Sequence, residues 1–173
     1  MPASADTQVR IRPLREADIE AIIAIDSLIT GAEKAGFWRG LLTLYEPFTE
    51  GEPEENAPRK AVPTYLCEVA ETSSRVVGFI LADVQAWQFG MPRCGRIVAI
   101  GVHPDHRRAG IASLLARDLL ETFRKMNLPV VQCLVRPGDP LGEFFASLGF
   151  TPSSWLTLEK PLTQVATGRG AGG

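Results

Sequence analysis

The sequence is poor in the residues that mark metal, disulfide and nucleic-acid proteins. Three cysteines, Cys67, Cys94 and Cys133, stand among 173 residues; they are far apart and form no CxxC pair, so neither a zinc site nor a disulfide framework is expected. They read as small hydrophobes buried in strands. Lysine and arginine number 18 against 20 aspartates and glutamates, and the pI is near 5.7. No global field therefore draws the chain to nucleic acid or to an anionic membrane. No apolar run approaches a membrane span, and the opening MPASADTQVR has no signal-peptide core, which makes a cytoplasmic location the expectation. Unpaired cysteines agree with a reducing compartment. Neither a GxxxxGK(S/T) loop nor a GxGxxG after an early strand is present, which argues against the common nucleotide-binding motifs.

What remains is an ordinary globular composition, 45% hydrophobic and 22% charged. A chain of this length buries roughly 70% of its unfolded surface and needs no staple. The expectation is a single domain over residues 8–160, with flexible tails at 1–7 and 161–173. Val9, Ile11 and Leu14 mark a first strand, and residues 16–28 repeat Ile19, Ile22, Ile23 and Ile25 at helical spacing. Residues 33–45 form a second helix with Phe37, Trp38 and Leu41 on its apolar side. The stretch 46–63, rich in Pro, Gly and charge, is an exposed loop and the candidate lid. TYLCEVAE and RVVGFILADV read as a hairpin, and 95–102 as the next strand. Residues 110–127 form the clearest helix, its stripe being Ile111, Ala112, Leu115, Ala116, Leu119, Leu120 and Phe123. Residues 130–135 make a strand parallel to 95–102; 140–148 is a short helix ended by Gly149, and 154–158 a last strand. The order is that of a mixed α/β (α+β) domain, a twisted mixed sheet of six to seven strands with about four helices.

The segment IVAIGVHPDHRRAGIASLL carries the chemistry. A strand passes through a short basic turn directly into the long helix, whose first N–H groups and positive dipole end favour an anion. His106, Arg107 and Arg108 add positive charge where helices usually place carboxylates, which an anionic ligand would relieve. A pyrophosphate fits: the N–H groups of Arg107 to Ala112 can encircle it while the arginines add charge-assisted bonds. Taken alone, the same residues also describe a solvated basic turn.

Arg107-x-x-Gly110-x-Ala112 resembles the R/Q-x-x-G-x-G/A signature of the GNAT acyltransferases, and Val102-His103-Pro104 and the later Ser147–Phe150 are similar to flanking features of that family. The resemblance runs from about Val9 to Leu158 and is detailed over residues 97–115 and 144–150. It implies acetyl-CoA as acyl-donor substrate: Arg107, Arg108, Ala109, Gly110, Ile111 and Ala112 at the pyrophosphate, Ile100, Gly101 and Val102 at the pantetheine arm, and Phe145 beside the thioester. It also implies direct attack of a primary amine through a tetrahedral intermediate, with the Val102 N–H against the oxyanion. No metal is implied. The acceptor, small molecule or protein, is left open, as is a homodimer to which Trp87 and Phe89 would contribute.

Three positions depart from the family's pattern. Phe145 stands where many relatives have a tyrosine that protonates the leaving thiolate; solvent or Ser147 would have to substitute. Gly138 stands where an asparagine is common, and Arg96 where some relatives place a glutamate base. The candidate base is then Asp83, at the end of an apolar strand. His103 and His106 are weighed as a surface turn and a phosphate contact, Glu68 and Glu71 as a solvated strand face, and Trp38 and Tyr45 as core-closing aromatics. The alternative reading is a GNAT-fold sensor or interaction module that binds acyl-CoA without transfer.

Overall fold

β-Rich segments with a two-residue break fold the middle of the chain into an antiparallel hairpin, β2 (Thr64–Thr72) and β3 (Arg75–Gln85). Ser73 and Ser74 form its turn with φ of 45° and 66°, the paired left-handed conformation whose twist matches a right-twisted hairpin. The computed structural model describes residues 8–45, 64–85 and 90–162. The expected lid over 46–63 with its acidic residues Glu50, Glu52, Glu54 and Glu55, the pair Trp87 and Phe89, and the ends at 1–7 and 163–173 lie outside the described residues.

The described residues fall into two compact units, 1–135 and 136–173. In the first, β1 (Arg10–Pro13) pairs antiparallel with β2, β3 with β4 (Cys94–Val102), and β4 runs parallel to β5 (Val131–Cys133), giving the order β1-β2-β3-β4-β5. A parallel pair needs a crossover, supplied by α3 (Ile111–Lys125). Its buried face is Ile111, Leu115, Ala116, Leu119 and Phe123, and it lies so close to the sheet that a Cβ on Gly95 would meet the Phe123 ring at 2.7 Å.

The opposite face is covered by α1 (Ile19–Thr30) and α2 (Ala35–Leu41). Ile19, Ile22, Ile23, Ile25, Trp38 and Leu41 close on Cys67, Val69, Phe79 and Leu81 of the hairpin. α1 stops at Gly31, whose φ of 70° is left-handed. Asp26, buried on α1, accepts the Trp38 indole N–H at 2.9 Å and the Lys34 ammonium at 3.0 Å, which fixes α2 to α1. The buried Arg12 guanidinium grips Asp18 through two bonds of 2.7 and 2.9 Å, tying β1 to the turn that begins α1.

In the second unit α4 (Pro140–Ser147) is capped by Asp139, whose carboxylate accepts the Leu141 N–H at 2.8 Å. Gly149, at φ 89°, ends the turn that follows. The expected strand at 154–158 does not form: residues 151–162 carry no regular structure, and Trp155, Leu156 and Leu158 are exposed. β-Favourable side chains make a strand only against a partner, and these have none among the described residues. The sheet there has five strands, not six to seven. No helix among the described residues is long and apolar enough to cross a membrane.

Candidate functional site

The sheet opens along β4. β5 pairs only as far as Ile97 with Cys133, so from Val98 to Val102 the edge of β4 away from β3 has no neighbouring strand among the described residues. β4 also carries a bulge. Leu81 pairs with Ala99 and Ala82 with Ile97, leaving Val98 without a partner on β3. An extra residue changes which peptide groups face which edge. Below the bulge, the Gly95 N–H points toward β5 and donates to the Val130 carbonyl at 3.0 Å; above it, the His103 N–H points toward β3 and donates to the Val77 carbonyl at 2.8 Å. Alternation then directs the N–H and C=O of Ile100 and Val102 to the open edge and those of Gly101 to β3. Packing reinforces the arrangement, because a Cβ on Gly101 would meet the Phe79 ring at 2.7 Å.

The open edge leads into an exposed basic turn. His103 caps it, its Nδ1 accepting the Asp105 N–H at 3.3 Å. Arg108 has φ 63° and Gly110 φ 76°, two left-handed residues flanking Ala109. Such alternation turns successive N–H groups toward one concavity, which is an anion nest. The N–H groups from Arg108 to Ser113 have no backbone acceptor among the described residues; the first helical bond outside α3 is Leu114 N–H to the Gly110 carbonyl at 3.0 Å. A non-glycine residue held left-handed at such a place is strain of the kind retained at ligand sites. His106, Arg107 and Arg108 are exposed around it, and the Arg107 Nε reaches back to the Val102 carbonyl at 3.5 Å. Open N–H groups therefore stand at a strand edge suited to an amide-bearing arm, on Ile100 and Val102, and again from Arg108 at a helix N-terminus suited to phosphates, while those of His103, Asp105, His106 and Arg107 between them are already bonded.

Residues 36–150 match the Acetyltransferase (GNAT) family. The chain belongs to the GNAT acetyltransferase family. Solved structures agree on the fold. An acetyltransferase from Clostridium difficile 630, described as a possible one, has a TM-score of 0.68 at 17% identity, covering 90% of this chain and 98% of its own. The ribosomal-protein-alanine N-acetyltransferase of Brucella melitensis biovar Abortus 2308 gives 0.66 at 18%, with 90% and 100% covered. AAC(6')-Iy in complex with the bisubstrate analogue CoA-S-monomethyl-acetylneamine gives 0.66 at 13%, with 89% and 98% covered.

Of the GNAT site residues read from sequence, Ile100, Gly101, Val102, Arg107, Arg108, Ala109, Gly110, Ile111 and Ala112 lie along this one continuous path, with Gly101 turned inward. Phe145 belongs to the second unit, where it is buried and packs edgewise on Phe144 at 5.1 Å and in a tilted contact on Phe150 at 5.2 Å. The Ser147 hydroxyl, weighed as a substitute acid, donates to the Phe144 carbonyl at 2.6 Å. Asp83 is 1% exposed. Its Oδ2 accepts Arg96 Nη2 at 2.6 Å, and its Oδ1 accepts Gln85 Nε2 at 2.6 Å and Arg96 Nε at 3.2 Å. Trp38 closes the core against Phe79. Tyr45 is half-buried, its hydroxyl pushed up to about 12 by burial.

The expectation of a solvated face at Glu68 and Glu71 is corrected. Glu68 is 7% exposed under α3, its Oε2 has no hydrogen-bond partner, and burial with the nearby Asp118 carboxylate pushes it up to about 8. Glu71 pairs with Arg12. Sequence reasoning also missed the bulge, which leaves no compositional mark, and the Arg96–Asp83 pair, whose signal was a carboxylate inside the apolar run RVVGFILADVQ.

Proposed function

We propose that this GNAT protein transfers an acetyl group from acetyl-CoA to a primary amine. The observation that carries the reading is two sets of unspent donors on adjoining elements, Ile100 and Val102 on the open edge of β4 and the N–H groups from Arg108 to Ser113 at the start of α3. Phosphates would lie in the nest with Arg107 and Arg108 beside them, and the amide-bearing arm along β4, as an added strand would.

The amine nitrogen attacks the thioester carbonyl carbon, forming C–N as the carbonyl becomes an oxyanion. The Ile100 and Val102 N–H groups, fixed on the open edge before reaction, hold the amide-bearing arm so that the thioester lies farther back along β4, toward the bulge. Collapse breaks C–S, and the amine's proton goes to solvent. Phe145 has no proton to give, and a thiolate with a pKa near 8.5 leaves without a dedicated acid. Asp83, engaged by three donors and shielded from solvent, serves Arg96 in this reading, and the amine is deprotonated by water. The rate should therefore rise with pH as the free amine accumulates. Three free cysteines agree with a reducing, cytoplasmic setting.

The acyl-CoA sensor is the second reading. It is favoured by the engagement of Asp83 and the absence of an acid at Phe145. Free-thiol release from acetyl-CoA across a panel of amines, beside calorimetric titration of acetyl-CoA, separates the two. Binding with amine-dependent release supports the transferase; binding with none across the panel supports the sensor; no binding removes both.

A further inference from the structure

One line of residues crosses the sheet at the foot of its opening. Tyr65 pairs with Asp83, Asp83 with Arg96, and Arg96 with Gln132. Direct partners share a face, so four polar side chains from four strands stand side by side. The next line on that face, Cys67, Leu81 and Ala99, is apolar, and Cys67 and Leu81 lie buried in the core beneath α1 and α2. The polar line marks where that cover ends. It lies one residue before Ile97–Cys133, the last pair before the sheet opens.

Arg96 reaches solvent. Its side chain is 43% exposed, whereas the Asp83 beneath it is 1% exposed. Asp83 takes the Nε–H and one Nη2–H, which fixes the plane of the guanidinium. Of five N–H donors three remain among the described residues: both on Nη1 and the second on Nη2, the end-on fork that matches a carboxylate in two parallel bonds. Gln85 donates to the same Asp83 oxygen at 2.6 Å, stiffening the carboxylate, and Tyr65 lies within electrostatic reach of Arg96. An ion pair kept only for stability has little to recommend it when one partner is fully desolvated. As a clamp, the same Asp83 gives Arg96 a fixed orientation.

The position relates to the donor path. From Val102 back to Val98 is four residues, roughly 13 Å of strand, and from Val98 to Arg96 about 7 Å more. A donor anchored at the start of α3 and laid back along β4 toward the bulge points its acyl end at Arg96. On the transferase reading above, on which this inference rests, we propose that the acceptor is a small amine that also carries a carboxylate, such as an amino acid. Arg96 holds that carboxylate and Asp83 positions Arg96.

The test is initial-rate kinetics of the full-length protein with acetyl-CoA and L-amino acids, each beside its own carboxamide and its decarboxylated amine, together with calorimetric titration of acetyl-CoA. The wild type should favour acids over amides by at least about 10-fold in kcat/KM, the range of a charge-assisted bond. Arg96→Lys keeps a cation against Asp83 but loses the fork; it should raise KM for the acid about 10- to 100-fold and bring the acid-to-amide ratio toward one, with acetyl-CoA affinity unchanged. Asp83→Asn should lower the same ratio through KM, a response that a purely structural role would not produce. Equal rates for acids and amides, turnover only of carboxylate-free amines or of peptides blocked at the C-terminus, or an unchanged ratio in Arg96→Lys would overturn the proposal while leaving the transferase reading standing. Acetyl-CoA binding without turnover of any acceptor overturns it in favour of the sensor, and absence of acetyl-CoA binding removes both readings.

Discussion

Replacing Glu68 by glutamine should make the protein more stable in alkaline solution and leave it nearly unchanged in acid. Glu68 lies under α3 with an orphaned oxygen, a weak 3.4 Å bond from the Thr122 hydroxyl, and Asp118 as a like-charged neighbour. Burial is the first cause that raises it, from 4.5 to about 8. Between those values the folded chain holds a proton that the unfolded chain has released, so stability falls as pH rises through the window and levels off above it. A span of about 3.5 pH units at 1.36 kcal/mol each sets a ceiling of ~5 kcal/mol. Water at the exposed Asp118 screens part of this, which brings the expected loss to about 2–3 kcal/mol. Glutamine has the shape of the neutral acid and does not titrate. Urea unfolding of both proteins at pH 5, 6.5, 8 and 9 should give superimposed stabilities at pH 5 and a variant about 2–3 kcal/mol more stable at pH 9. Curves that stay parallel across the range, or a variant less stable at pH 9, would refute the reasoning.

Gly95→Ala, which drives a methyl into the Phe123 ring at 2.7 Å, should cost about 1–3 kcal/mol of stability in urea. Gly110→Ala, in open space but at φ 76°, should cost about 1 kcal/mol of fold and at least 10-fold in acetyl-CoA affinity by calorimetry, because the nest loses its shape. Arg107→Ala and Arg108→Ala should each weaken acetyl-CoA about 10-fold, roughly 1.4 kcal/mol, and the wild type's affinity should fall between 50 and 300 mM salt by more than that of either variant.

Much of this was legible in the sequence because it is written in periodicity. The seven-residue stripe of α3 and the β-rich runs of β2 and β3 need only their own residues to be recognised, and the basic turn before Gly110 announces an anion site by placing arginines where a helix favours acids. The residues that shape the open edge are not local in that sense. The bulge at Val98 depends on how β4 registers against β3, and it alone decides that Ile100 and Val102 face outward. Asp83 looked like a free carboxylate at a strand end because Arg96, thirteen positions away, becomes its neighbour only in the sheet. Glu68 looked solvated because alternation with Val69 suggests one wet face, whereas α3 covers that face as α1 and α2 cover the other. The strand expected at 154–158 fails for the converse reason, having suitable residues but no strand paired with it among those described.

Amide hydrogen exchange with and without acetyl-CoA tests the central claim most directly. The account predicts slowed exchange at Ile100, Val102 and Arg108 through Ser113, and little change at Gly101 and His103, whose N–H groups already face β3. Protection confined to other elements, or equal protection of Gly101 and Val102, would contradict it.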